Sequence, residues 1–158
     1  MSDLLELLAQ LAITIAALSA VAGANRSSIA PDEQNYLLRD VALIGLAIAL
    51  YSFLPLLMFE AHIQAEIALP IAAGLATLSW FIGYLLYLRR IWGDQAQFTG
   101  MFYLGAVLTI AGLLFFASNL YVVQSVTYLS GLVCWLAIAS LNFISGVFII
   151  RREPGAGN

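Results

Sequence analysis

Residues 67–88 read IALPIAAGLATLSWFIGYLLYL, a run of 22 residues without a charge, closed by Arg89 and Arg90. As a helix it would be roughly 33 Å long at 1.5 Å per residue, enough to cross a hydrocarbon core about 30 Å thick. Four further apolar runs, at residues 4–22, 41–59, 99–117 and 126–150, account for most of the rest of the chain. The expected fold is therefore all-α: an integral membrane bundle of five transmembrane helices. Residues 1–153 would form a single domain, with a short mobile tail at 154–158.

Composition supports the same reading. Hydrophobic residues make up 63% of the sequence and charged residues 9%, against about 25% charged in an ordinary soluble domain. So much apolar surface has to face lipid. No stretch outside the runs is long enough to fold as a second domain.

All six basic residues are arginine, and they alternate along the chain. Arg26 and Arg39 lie between the first two runs, Arg89 and Arg90 follow the third, and Arg151 and Arg152 follow the fifth. The amino terminus and the loops at 60–66 and 118–125 carry none. Basic residues stay on the cytoplasmic side. The expected topology has the amino terminus outside and the carboxyl terminus inside a bacterial-type plasma (inner) membrane. The first run ends in small residues, Ala20-Val21-Ala22 and Ala22-Gly23-Ala24, that resemble a signal-peptide cleavage site. A signal peptide starts with a basic region, whereas Asp3 and Glu6 make this start acidic, so an uncleaved helix is expected.

Local signals refine the elements. Pro31 followed by Asp32 and Glu33 suits a helix start, with the acids at the positive end of the dipole. Tyr36 and Arg39 would then sit at the headgroups. Pro55 implies a kink in the second span, while Pro70 falls in the first turn of the third, where it costs little. Gly93 and Asp94 suggest a tight turn, with Asp94 and Gln97 at capping-box spacing. Trp80, Tyr84, Tyr87 and Trp92 read as an aromatic belt facing lipid.

The first span carries the clearest polar pattern. Asp3, Glu6, Gln10 and Thr14 follow helical spacing and fall on one stripe. Beside it, Ala12, Ala16 and Ala20 recur every fourth residue, a spacing that lets helix backbones approach closely. Gly105 and Gly112 offer the same in the fourth span. The stripe has three readings: a central helix bonding its neighbours, a polar passage lined by Glu6, Gln10 and Thr14, or a subunit interface. In the fifth span, Asn142 shares a face with Thr127, Gly131, Cys134 and Ser145. Its amide needs a partner in hydrocarbon, and it could meet Gln10 and Thr14 in one polar core. Glu60, His62 and Glu66 gather acids and an imidazole on the outer side, where they would concentrate cations or hold a divalent metal. His62 and Glu66 would share a helix face if the third helix starts early.

The runs also exclude chemistry. Glu6, near an end, is the one Asp, Glu, Lys, Arg or His inside them, whereas proton relays, ion-coupled pumps and voltage sensors depend on such residues. Lysine is absent, Cys134 is alone, and the single histidine rules out paired haem ligands. No catalytic set, cofactor or nucleic-acid contact is expected. With Glu6-Leu7-Leu8-Ala9-Gln10 running into Ala12-Ile13-Thr14-Ile15-Ala16, and the apolar helix at 128–150, the chain resembles small multi-pass bacterial inner-membrane proteins of unassigned function. That resemblance implies no activity. Beyond the lipid bilayer, the expected partners are further copies of the chain or a larger membrane complex. Three functions remain open: an oligomeric channel or pore for cations or small solutes, a non-catalytic subunit of a larger complex, and a lipid-acting or lipid-binding protein.

Overall fold

The computed structural model describes residues 1–26, 32–91 and 100–148. The described residues form five helices and no strand: α1 Ser2–Arg26, α2 Asp32–Glu60, α3 Ala65–Ile91, α4 Gly100–Ser118 and α5 Ser125–Phe148. Four stretches, Ser2–Ala24, Leu38–Glu60, Ala65–Leu86 and Ser125–Ser145, are long and apolar enough to cross a membrane. The apolar part of α4 is shorter, Tyr103–Ser118. Pro31, the Gly93–Asp94 turn with Gln97, and the tail at 154–158 lie outside the described residues, as do the side chains of Tyr36, Tyr87 and Trp92.

The helices do not share the centre equally. α2 packs against α1, α3 and α5, and α4 packs against α5 and α3. The first helix was one candidate for the middle of the bundle; it instead lies at the side, against α2 and in part α5. Its buried face is Leu5, Ala9, Ala12, Ala16 and Ser19, a seam with alternating spacings of four and three. Opposite it on α2 run Leu38, Val41, Gly45, Ile48, Ser52 and Pro55, all buried. The two helices are antiparallel, so Gly23 meets Leu38 while Gly45 meets Ala12 and Ala16. The closest crossing is at Gly45, where a Cβ would stand 2.7 Å from the Ala12 carbonyl oxygen. Small residues on both sides permit that approach. Ser19, buried in the same seam, donates to its own helix at Ile15 O (2.7 Å).

Around α2 and α5 the interior is aromatic. Trp135 is fully buried and stacks on Trp80 with ring centroids 4.4 Å apart. Tyr51 meets Trp135 edge-on at 5.7 Å, and Phe116 lies 4.8 Å from it. Phe116 also contacts Tyr128 edge-on and rests on Gly131. Two hydroxyls tie the helices through this cluster. Tyr128 donates to the Tyr51 carbonyl at 2.6 Å, and Tyr51 donates to Ser79 Oγ at 2.8 Å. Trp80 is half-buried and packs against the core through its stack on α5.

α2 runs through Pro55, which is buried, without a break in the helix. One further local expectation changes. Pro70 is the sixth residue of α3, since that helix already begins at Ala65; it therefore forgoes an intrahelical bond rather than falling among the free donors of the first turn.

Candidate functional site

The polar stripe of α1 faces away from the bundle. Asp3, Glu6, Gln10 and Thr14 are all exposed. At about 100° per residue the stripe is centred roughly 145° around the helix from the buried seam, so Gln10 and Thr14 do not bond into a central core. The Thr14 hydroxyl donates to the Gln10 carbonyl at 2.8 Å, which satisfies it within its own helix. The Gln10 amide has no hydrogen-bond partner among the described residues.

Asn142 does not meet them. Measured from the end of the bundle where α1 and α5 begin, Gln10 is about 12 Å along and Asn142 about 26 Å. Asn142 is half-buried on α5, and its amide too is without a partner among the described residues. In place of a shared polar core, the interior holds the aromatic cluster of Tyr51, Trp80, Phe116, Tyr128 and Trp135.

Glu6 and Gln10 are instead joined by Glu60. The three line an open groove of about 360 Å³ between the start of α1 and the end of α2, walled by Phe53, Leu57 and Phe59. Antiparallel pairing of the two helices produces this meeting of residues far apart in sequence. His62 and Glu66 do not line this groove. His62 is outside α3, in the turn, so it does not share a helix face with Glu66, the second residue of that helix. Among the described residues no three His, Cys, Asp or Glu side chains are grouped to hold a metal ion.

The position of His62 has a backbone explanation. Ile63 N–H donates to Met58 O and His62 N–H to Phe59 O, each at 2.9 Å. This is the pair of bonds of a Schellman cap, with His62 at the left-handed position (φ 59°). Glycine is the usual occupant, because a Cβ is strained there. His62→Gly is therefore expected to raise stability by up to about 1 kcal/mol, read as a higher midpoint in detergent denaturation. A lower midpoint would mean that the imidazole makes contacts worth more than the strain.

Among the packing candidates, Ala12 and Ala16 lie in the α1–α2 seam, and Gly112 carries the Trp135 indole edge, 3.3 Å from where its Cβ would be. A Cβ at Gly105 would meet nothing within 4 Å, and Ala20 is exposed.

Sequence reading passed over two features. Asn119, fully buried, pins the α4–α5 turn: its Nδ2 donates to Thr127 Oγ1 (2.6 Å) and Phe115 O, and its Oδ1 accepts from Gln124 N–H. A turn asparagine before a helix was the available signal. Ser52 Oγ and the indole nitrogens of Trp80 and Trp135 are buried without a partner, which no local pattern announces. An unpaired buried donor costs about 1–3 kcal/mol, so these indoles are held by area and stacking. Comparison with known protein families, curated proteins and solved structures finds no match for this chain.

Proposed function

We propose that the chain is a small oligomeric membrane channel for cations or small solutes, with its passage between copies and lined by α1. The observation that carries this reading is the exposed stripe of Glu6, Gln10 and Thr14 within a helix long and apolar enough to span a bilayer. Facing lipid, a glutamine about 12 Å into the span would lack hydrogen-bond partners, which is costly in hydrocarbon. Facing a water-filled passage, it would be solvated. Asp3 and Glu6 at the entrance would concentrate cations. Further along, the same exposed face continues as Ala17, Val21 and Ala24, an apolar constriction of the kind that gates by dewetting. The reading takes α4 as a fifth crossing, which returns the chain between α3 and α5. It also places the amino terminus outside and the arginines inside, in a plasma (inner) membrane.

A second reading is supported by the small exposed residues Ala17, Ala20 and Ala24 on the same helix. A helix of a larger complex could pack closely against them, making the chain a non-catalytic subunit. The two readings separate by particle mass in nanodiscs, where a ring of identical chains favours the channel and a single copy with foreign chains favours the subunit. Within a ring, Gln10→Leu should lower single-channel conductance several-fold at unchanged mass, measured in planar bilayers. Unchanged conductance would remove α1 from the passage.

A further inference from the structure

We propose that the groove at the arginine-bearing end of the α1–α2 pair holds one anionic phospholipid, its acyl chain in the groove and its phosphate on Arg39. The groove measures about 390 Å³ and is lined by Ala20, Gly23, Ala24, Leu38, Arg39 and Ala42 among others. It lies at the opposite end of α1 from the Glu6–Gln10–Glu60 groove and shares Ala24 with the face assigned above to the passage.

Three observations converge on that ligand. First, the space exists because its walls are short: three alanines and a glycine leave the facing helices without side chains beyond Cβ. Ser19, which also lines it, has already spent its hydroxyl on Ile15 O, so the wall is apolar and suits hydrocarbon. Second, the groove occupies the last turns of the Ser2–Ala24 span and the first of the Leu38–Glu60 span. It therefore opens where hydrocarbon meets headgroup, and its extent along α1 from Ser19 to Ala24 is about 8 Å. Third, among the described residues of that lining Arg39 is the single charged one; it is exposed and has no ion pair or hydrogen bond among the described residues. Asp40, next in sequence, does not line the groove.

The chemistry follows from that arrangement. The arginine stem covers apolar surface while the guanidinium reaches the headgroup level. Its planar fork of five donors matches phosphate oxygens in a bidentate manner, and basic pockets between spans attract anionic lipid headgroups. A second copy of the chain is the poorer occupant. A two-fold contact centred on this groove would bring two Arg39 guanidinium groups together, like charges in a medium of low dielectric. Free phosphate would use the arginine but leave the apolar groove exposed.

The test is native mass spectrometry of the full chain released from nanodiscs of equal parts phosphatidylcholine and phosphatidylglycerol. The wild type should retain one phosphatidylglycerol per chain in preference to phosphatidylcholine. Arg39→Gln should weaken retention roughly ten- to a hundredfold, the effect of losing hydrogen bonds to a charged group. Arg39→Lys should restore part of it. Ala20→Phe, and Ala42→Phe from the opposite wall, should displace the lipid with Arg39 in place; circular dichroism of each checks that the helices persist. Equal retention of the two lipids, an Arg39→Gln chain that binds as the wild type, or folded groove-filled variants that still bind would each overturn the proposal. So would a groove occupied by a second chain, seen as a dimer that either phenylalanine dissociates.

Discussion

Replacing Gly45 with alanine is expected to destabilise the bundle, and replacing it with leucine to separate α1 from α2. Two effects of opposite sign compete at this position. Alanine is the better helix former by about 1 kcal/mol, so the substitution would be favourable wherever there is room for a methyl group. At Gly45 there is none, because the new Cβ would stand 2.7 Å from Ala12 O and 2.9 Å from the Ala16 Cβ. Neither contact is the free end of a flexible side chain, so relief requires the two helices to move apart along their whole seam. Overpacking of this kind costs about 1–3 kcal/mol for a methylene-sized insertion, which outweighs the propensity gain.

Leucine adds three more carbons to the same gap, and the expected outcome is loss of the native crossing. Gly83 supplies the control: it is exposed on α3 and its Cβ would meet nothing within 4 Å. Gly83→Ala should leave stability unchanged or raise it by up to about 1 kcal/mol. Denaturation in sodium dodecyl sulfate, followed by tryptophan fluorescence, would report both. Opposite signs at the two glycines are the expected result. A Gly45→Ala chain as stable as the Gly83→Ala chain would contradict the close crossing.

What could and could not be read from the sequence follows from the solvent. Hydropathy reveals where a chain crosses lipid, so the runs at 4–22, 41–59 and 67–88 coincide with most of α1, α2 and α3. It does not reveal which face points inward, because lipid is as apolar as the core. On α1 the exposed Leu4, Leu7, Leu11 and Leu18 are as hydrophobic as the buried Leu5, and the polar stripe was free to point either way. Ala12 and Ala16 were legible as close-approach positions, but their partner was not, since Gly45 is one glycine inside an unpatterned apolar run. Glu60 joins Glu6 and Gln10 only through the antiparallel fold of α1 on α2. His62 hid its structural role because the cap it occupies is normally announced by glycine. Trp80 was assigned by depth alone, and its stack on Trp135 depends on a helix two elements later.

Trp135→Ala is expected to produce the largest loss of stability among large-to-small core substitutions, and the reason separates packing from hydrogen bonding in this bundle. The indole is fully buried and touches three other helices: it stacks on Trp80 of α3, takes the edge of Tyr51 from α2, and packs on Phe116 and Gly112 of α4. Removing it withdraws the shared contact of four helices and leaves a cavity that rigid helices close only in part, at a cost of about 3–5 kcal/mol. That is a large share of the roughly 5–15 kcal/mol that stabilises a typical folded protein. Its N–H has no partner, so none of the loss is a broken hydrogen bond. Tyr128→Phe supplies the contrasting term, since it keeps the ring against Phe116 and deletes only the 2.6 Å bond to the Tyr51 carbonyl. Hydrogen bonds between membrane helices average about 0.6 kcal/mol and reach about 1.7 at most, so that variant should unfold at nearly the wild-type midpoint. Trp135→Phe should fall between the two, retaining a ring to stack on Trp80 but less volume. Because lipid removes the ordinary hydrophobic drive between helices, this order argues that complementary shape around Trp135 holds the bundle together. An equal loss from Tyr128→Phe and Trp135→Ala would instead assign that role to the hydroxyl ties.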